Sequence, residues 1–193
     1  MTSFDLDRYV PWALEASLAA AAVANYCDHV EHNEDVEREW IWDAGRTLRR
    51  IACEIAAYED LDLIGLYAER LRMIERRNPL CEEDGLDGGL RASEAATWRE
   101  LQLAQVDHDR HYHPDVIGLN KFDQLSHYAL HLAKLAGALA EVARGEGDAA
   151  FLERRLPDLL LFGVKLATVS GKTLPDKALA SPSADSQRQL IAA

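Results

Sequence analysis

The chain has 193 residues, of which 48% are hydrophobic and 28% are charged, and its formal net charge is -12. These values are typical of one soluble globular domain and exclude a fibrous or wholly disordered class. The negative net charge disfavours nucleic acid as a partner, because phosphate recognition depends on clustered lysine and arginine.

Helical periodicity runs through nearly the whole chain, and no β-branched run between turn signals predicts a strand. Six main helices are predicted, over residues 7–29, 35–58, 61–77, 93–112, 121–144 and 148–170. Ser93 is the expected N-cap of the fourth helix, and Pro157 is expected to kink or divide the sixth. Residues 174–179 are candidates for a final helical turn. The predicted fold is therefore all-α, a single-domain bundle of about six helices over residues 1–180.

Two segments are predicted to lie outside the helices. The first is the acidic, glycine-rich stretch 81–90, interpreted as a surface connection or as a lid, and it contains Gly85, Gly88 and Gly89. The second is the tail 181–193, where Ser, Pro, Asp and Gln dominate. This tail is expected to be disordered or to order only on binding a partner.

Cysteine usage and hydrophobic segments predict the cellular location. The three cysteines, Cys27, Cys53 and Cys81, form no C-x-x-C pair, and an odd number of separated thiols favours a reducing compartment. No segment reaches the roughly 18 uninterrupted apolar residues of a membrane span. Residues 14–23 are predicted to form a core helix and not a signal peptide, because no basic region precedes them. The expected location is the cytoplasm, with no membrane partner.

Histidine is concentrated in one part of the chain. Five of the seven histidines lie close together in the sequence, at His108, His111, His113, His127 and His131. On the fifth predicted helix, Asp123, His127 and His131 follow one another at intervals of four residues, so their side chains share one face. The opposite face of that helix is apolar, and the histidine face is predicted to line a ligand site.

The fourth predicted helix offers a second histidine pair, His108 and His111. Only about eight residues join this helix to the fifth, so an antiparallel hairpin would bring the pair opposite His127 or His131. Imidazoles with a carboxylate suit zinc, iron, nickel or manganese. The candidate ligands of a divalent metal are therefore His108, His111, Asp123, His127 and His131. An alternative stays open, in which these histidines are solvated or pair with acids, because no fixed signature such as His-Glu-x-x-His is present.

Four residues are candidates for catalysis: His127, His131, Asp158 and Lys134. The two histidines can exchange protons near neutral pH whether or not a metal is bound. With a metal, a bound water would be acidified, and Asp109 or Asp158 would orient it or accept its proton. Asp158 lies in an apolar stretch and is expected to be half-buried, with Lys134 or Lys165 as its partner.

Two segments of the last third of the chain carry a resemblance to a known family. Residues 132–141 read LAKLAGALAE and residues 155–167 read RLPDLLLFGVKLA. The order of apolar and polar residues in these two segments is similar to that of two helices of the MazG-like family, the Glu-Glu-x-Gly-Glu-Leu helix and the Glu-x-x-Asp helix. This family belongs to the all-α nucleoside triphosphate pyrophosphohydrolase superfamily. The resemblance covers roughly residues 119–180. It implies a helical bundle, commonly dimeric, with a cleft between the fifth and sixth predicted helices.

The family holds magnesium with acidic clusters, and this chain departs from them. The positions of the first cluster read Lys134, Leu135 and Ala138, and the second reads Arg155 with only Asp158 retained. Magnesium bridging a triphosphate needs carboxylate oxygens. The resemblance therefore implies the architecture of the family more directly than its magnesium chemistry.

Two functions of different class are predicted. The first is a MazG-like helical hydrolase, metal-dependent if the histidine cleft binds a divalent ion, acting on a nucleotide or related phosphate compound. The second is a non-catalytic module that binds a small-molecule ligand or a protein. A homodimer is also predicted, because the alanine-rich stretch 19–24 permits close helix contact and the first helix has more apolar surface than one neighbour needs.

Overall fold

The computed structural model describes residues 6–32, 37, 39–77, 87–146 and 149–179. Within these ranges the chain forms eight helices and no β-strand, which confirms the all-α prediction. The helices are α1 (Leu6–Glu31), α2 (Glu39–Tyr58), α3 (Leu63–Arg77), α4 (Gly88–Glu94), α5 (Trp98–Tyr112), α6 (Pro114–Ile117), α7 (Lys121–Ala143) and α8 (Ala149–Val169). The two helices beyond the predicted six are short, α4 with 7 residues and α6 with 4. The predicted tail 181–193 lies outside the described residues.

Gly88 and Gly89 are helical, which corrects the prediction that residues 81–90 form a connection. They begin α4, and the carboxylate of Asp87 caps this helix by accepting a hydrogen bond from Leu90 N at 2.6 Å. A Cβ atom on Gly89 would lie 2.3 Å from Arg72 Cγ, so α4 packs against α3 too closely to admit a side chain there. Residues 81–86 lie outside the described part of the chain.

Thr97, and not Ser93, is the N-cap of α5. The Thr97 hydroxyl accepts from Glu100 N, and the Glu100 carboxylate accepts from Thr97 N, which makes a reciprocal capping box. Ser93 lies inside α4. Residues 174–179 form no helical turn, and Ala178 instead makes an isolated antiparallel bridge with Thr97. The C-terminal end of the described chain is thereby attached to the start of α5.

The first helix packs between α7 and α2, and its small side chains permit close approach. Its buried alanines are Ala13, Ala16, Ala19 and Ala20. Two aromatic residues of α1 donate side-chain hydrogen bonds to glutamates. Trp12 Nε1 donates to Glu54 of α2 at 2.8 Å, and Tyr9 OH donates to Glu59, the residue after α2, at 2.7 Å. These contacts fix the rotation of α1 and leave its opposite face exposed to water.

Helices α2 and α8 cross at two glycines. A Cβ atom on Gly163 would lie 2.7 Å from Arg49 Cγ and 3.0 Å from Gly45 O, so the backbones approach without side chains between them. Arg49 Nη1 donates to Gly163 O at 2.6 Å across this crossing. Burial lowers the pKa of Arg49 to about 10, so the guanidinium keeps its charge at neutral pH.

Helix α8 is the central helix of the bundle. Residues 156–167 are all buried, against neighbours from α2, α3, α5 and α7. The helix is continuous from Ala149 to Val169 with Pro157 inside it, so the predicted division at that proline is wrong. Because α8 is surrounded by protein, its charged residues Asp158 and Lys165 need partners from the neighbouring helices.

Two further predictions concern membranes and thiols. Among the helices of the described ranges, none is both long and apolar enough to cross a bilayer. Cys27 and Cys53 are free thiols, and Cys81 lies outside the described residues.

Candidate functional site

A buried ion pair between α5 and α8 is the centre of the site. Lys165 Nζ lies 2.8 Å from Asp109 Oδ1, and the two side chains are only 9% and 4% exposed. Burial alone would raise the pKa of Asp109, but the adjacent His108 ring and the Lys165 ammonium more than offset it and lower that pKa. The Asp109 carboxyl is therefore ionised at neutral pH.

Hydrogen bonds extend the pair along α5 and onto α3. Gln105 Nε2 donates to Asp109 Oδ1 at 2.8 Å, and Tyr67 OH donates to Gln105 Oε1. Burial, with a smaller contribution from the charge of Asp109, raises the pKa of Tyr67 well above its usual value. Tyr67 is therefore a neutral donor, and the network from Tyr67 through Gln105 and Asp109 to Lys165 connects three helices.

His108 lies beside this network without a hydrogen bond. The ring is fully buried, and neither nitrogen has a hydrogen-bond partner among the residues that the structure describes. Its Nε2 lies 3.6 Å from Glu75 Oε1 and its Nδ1 lies 3.9 Å from Asp109 Oδ1, both beyond hydrogen-bonding distance. The ring is stacked on Tyr112, with 4.7 Å between the ring centroids. His108 is thus an imidazole held between two carboxylates, those of Glu75 and Asp109.

Aromatic rings from α7 and α8 cover the other side of Lys165. Its Nζ lies 5.8 Å from the ring centroid of Tyr128 and 5.7 Å from that of Phe162, within cation–π range. His131 is stacked on Phe162, with a centroid distance of 5.0 Å and an interplanar angle of 25°. The rings of His127 and His131 are 4.8 Å apart. Phe162 therefore contacts both the Lys165 ammonium and the His131 imidazole, and Lys165 lies between Asp109 of α5 and the Tyr128 ring of α7.

His131 and His113 have lowered pKa values. Burial, followed by the positive charge of Lys134 and of other nearby basic groups, lowers the pKa of His131 to about 4. Burial and then Lys165 lower the pKa of His113. The charged groups acting on His131 are all basic, whereas those acting on His113 are of both signs, with Asp109 and Asp115 opposing Lys165. At neutral pH His131 is a neutral imidazole.

Asp158 pairs with Arg70 on α3, and not with Lys134 or Lys165 as the sequence predicts. Arg70 Nε donates to Asp158 Oδ1 at 2.5 Å and Arg70 Nη2 donates to Oδ2 at 3.3 Å, a two-pronged pairing. Asp158 is 6% exposed, which is more deeply buried than predicted, and Lys134 is exposed. Asp158 therefore fixes the position of the Arg70 guanidinium, and the charge of Arg70 contributes to lowering the pKa of His131.

The structure separates the predicted metal ligands of α5 from one another. His108 is buried beside Asp109, whereas His111 is exposed and its Nδ1 lies 2.8 Å from the carbonyl oxygen of Asp107. Helix α5 packs on α3, α4 and α8 and has no substantial packing with α7, so the predicted antiparallel hairpin of these two helices is not formed. His108 and His111 therefore do not face the same partner.

The predicted ligands of α7 divide in the same way. Asp123 is exposed and bonded to Asn120 at the start of the helix, and only His127 and His131 adjoin each other. Within the described ranges, no group of three or more His, Cys, Asp and Glu residues is arranged to hold a metal ion. A divalent metal stays a prediction for this chain.

The residues at the positions of the family's magnesium clusters do not fit that cation. Lys134 and Arg155 are exposed and basic, and Leu135 is buried in the apolar core. The one retained carboxylate, Asp158, is engaged by Arg70. Hard cations take oxygen ligands, and these positions supply one carboxylate that is already paired.

Some of these site residues carry a sequence signal and others do not. Lys165 stands in a run that is apolar on every side, so a charge there must be buried and paired. Gln105 and Asp109 are four residues apart, which places both on one helix face. Arg70 lies among the charges of a solvated helix face, and nothing in its neighbours distinguishes it.

Comparisons of the chain with protein-family models, with curated proteins and with solved structures find no match. The resemblance to the MazG-like family accordingly stays a prediction. The geometry and charge of the site are the basis for assigning a function.

Proposed function

We propose that this chain binds a small phosphate-bearing compound, of the nucleotide or phosphate-ester class, over α8 between α5 and α7, and hydrolyses it by acid–base chemistry. The observation that carries the proposal is the buried pair of Lys165 and Asp109 with the neutral His131 imidazole on the same aromatic ring, Phe162. Titratable side chains whose pKa values are shifted by burial and by neighbouring charges are concentrated at catalytic sites.

The charge of the site favours an anion. Asp109 and Asp158 are each engaged by a basic partner, at 2.8 Å and 2.5 Å. Lys165 has three N–H donors, and Asp109 is its one hydrogen-bonding partner among the described residues. Burial is the main cause of the lowered pKa of His131, and the positive charges of Lys134, Lys165 and Arg70 lower it further, so a positive field acts on its ring. A phosphate group would compensate that field and accept the free donors of Lys165.

The neutral His131 supplies a proton acceptor for an attacking water. In the free protein its pKa of about 4 makes it a weak base. A phosphate bound beside it replaces the surrounding positive field with negative charge and raises that pKa toward neutrality, where general-base catalysis is most effective. The Lys165 ammonium then donates hydrogen bonds to the phosphoryl oxygens, and Asp109 keeps that ammonium in place. As the water oxygen bonds to phosphorus and its proton passes to His131, the ester P–O bond breaks, and the alcohol or phosphate that leaves takes its proton from solvent.

A binding and turnover screen tests the proposal. ATP, AMP, glucose 6-phosphate and inorganic phosphate are titrated by calorimetry, and phosphate release is measured for the three esters. The wild type is expected to bind and hydrolyse at least one ester, and His131→Gln is expected to lower turnover by about 100-fold, the typical contribution of a general base. Lys165→Met is expected to weaken binding.

Lys172→Met is the matched control, because Lys172 is 46% exposed and pairs with Glu39, away from the site. It is expected to behave as the wild type does. An equal loss of activity in this control, or no binding of any compound by the wild type, would overturn the proposal.

The same experiments, with one addition, also test the predicted alternative function and the predicted metal. Binding without turnover identifies a non-catalytic ligand-binding module. Elemental analysis of protein purified without a histidine tag tests for a divalent metal. Release of pyrophosphate from ATP, instead of phosphate, would support the resemblance to the MazG-like family.

A further inference from the structure

One face of α8 has basic side chains on both sides of Phe162. Arg155, Asp158, Phe162 and Lys165 follow one another at intervals of three and four residues, so they share that face of the helix. Arg70 of α3 pairs with Asp158, and Arg155 is exposed one turn before it. Positive charge is therefore present at two places along α8, at Lys165 and at the two arginines near Asp158.

Lys134 of α7 adds a third basic residue at the Asp158 end. A short connection joins α7 to α8 and the two helices pack on each other, so they run antiparallel. His131 stacks on Phe162, and Lys134 is one turn further along α7, which places it toward Asp158. Lys134 and Arg155 are both exposed, and neither forms an ion pair with the residues that the structure describes. Their charges are therefore uncompensated at this end of the site.

We infer that Arg70 and Lys134 form a second anion subsite, so that the ligand of this site is a compound with two separate phosphate groups. One phosphate binds at Lys165 and the other between Arg70 and Lys134, with the stacked rings of His131 and Phe162 between them. This inference rests on the proposed function, which assigns the first phosphate to Lys165.

The guanidinium of Arg70 is held in position for this role. Its Nε and Nη2 donate to the buried Asp158 carboxylate at 2.5 Å and 3.3 Å, and its Nη1 has no hydrogen-bond partner among the described residues. The Arg70 side chain is 24% exposed, so a ligand can reach it from water. A fixed guanidinium with free N–H donors is a preferred partner of phosphate oxygens.

The separation of the two subsites indicates the class of compound. Asp158 and Lys165 are seven residues apart, which corresponds to roughly 10 Å along the axis of α8. The phosphates of a diphosphate share one oxygen atom and lie too close together to occupy both subsites. A sugar with a phosphate at each end of a six-carbon chain is long enough. The inferred ligand is therefore a sugar bisphosphate or a bisphosphate of similar length.

Calorimetric titration with fructose 1,6-bisphosphate, fructose 6-phosphate and pyrophosphate tests the inference. The wild type is expected to bind the bisphosphate about tenfold more tightly than either other compound, the effect of one additional charge-assisted hydrogen bond. Lys134→Gln is expected to remove most of this preference, and it should fold normally because Lys134 is exposed and unpaired among the described residues. Arg70→Lys keeps a positive charge beside Asp158 but loses the two-pronged pairing, and it is also expected to reduce the preference.

Lys121→Gln is the matched control, because Lys121 is exposed on the same helix at its opposite end. It is expected to keep the preference of the wild type. Equal binding of the bisphosphate and fructose 6-phosphate by the wild type, or a preference that Lys134→Gln and Arg70→Lys leave unchanged, would overturn the inference and leave the proposed function standing. Binding of none of the three compounds would also overturn the inference. The proposed function would fail with it only if ATP, AMP and glucose 6-phosphate did not bind either.

Discussion

Lys165 and Asp109 form an ion pair that is almost wholly withdrawn from water, with 2.8 Å between Nζ and Oδ1. Removing one partner of such a pair leaves the other charge buried and uncompensated. Lys165→Met is therefore expected to lower the free energy of unfolding by about 3–5 kcal/mol, as measured by urea denaturation.

A double-mutant cycle separates the pair from the packing around it. Asp109→Asn with Lys165→Met removes both charges, so the double variant is expected to lose less stability than the sum of the two single losses. Additive losses would show that the two charges do not stabilise each other in the folded protein.

His131 makes the stability of the fold depend on pH in the acid range. An unfolded histidine has a pKa of about 6.5, whereas burial and nearby positive charge lower the pKa of His131 to about 4 in the folded protein. The unfolded chain therefore binds more protons between these values, and stability is expected to fall as the pH drops from about 6.5 to about 4. His113, whose pKa is also lowered, contributes in the same direction.

Comparison of the wild type with His131→Gln by thermal unfolding at pH 7 and pH 5 measures this contribution. The variant is expected to lose less stability than the wild type between the two pH values. Equal losses would mean that the pKa of His131 is the same in the folded and unfolded states. Asp109 affects stability in a different pH range. Because its pKa is lowered in the folded protein, its contribution to stability is lost only below about pH 4.

The crossing of α2 and α8 depends on glycine at position 163. Gly163→Ala would place a Cβ atom 2.7 Å from Arg49 Cγ and is expected to cost about 1–3 kcal/mol of stability, the usual effect of overpacking. Gly137→Ala is the matched control, since a Cβ atom there meets nothing within 4 Å. In the exposed helical position of Gly137, alanine is expected to stabilise the protein by about 0.5–1 kcal/mol. Chemical denaturation of the two variants should therefore give changes of opposite sign.

The capping box of α5 gives a prediction about helix ends. Thr97→Ala removes the side chain that accepts from Glu100 N and is expected to cost about 1 kcal/mol in denaturation experiments. Ser93→Ala, which alters a residue inside α4, is expected to cost less. A larger loss for Ser93→Ala would favour the boundary that sequence analysis predicts.

Much of the fold follows from the periodicity of the sequence. The apolar stripes predict α2, α3, α7 and α8 with ends within a few residues of those in the structure. The boundary between α4 and α5 is not predicted, because Ser93 and Thr97 are both acceptable N-caps and only the contacts of Glu100 and Ala178 distinguish them. No local pattern predicts that Ala178 forms a bridge with Thr97.

The site is less predictable than the fold, for a physical reason. Spacing along one helix shows that His127 and His131 share a face, and the structure agrees. Which helix lies opposite that face depends on packing across the whole bundle. Arg70 and Asp158 are 88 residues apart in the chain, and no local pattern connects them. The histidine face consequently meets an aromatic and basic surface, and not the histidines of α5.

Titration of the His131 imidazole by NMR, without and with inorganic phosphate, tests the central claim most directly. The account predicts a pKa of about 4 in the free protein and a higher pKa when phosphate is bound, because the anion reverses the field around the ring. A pKa near 6.5 in the free protein, unchanged by phosphate, would contradict the assignment of this cluster as an anion-binding acid–base site.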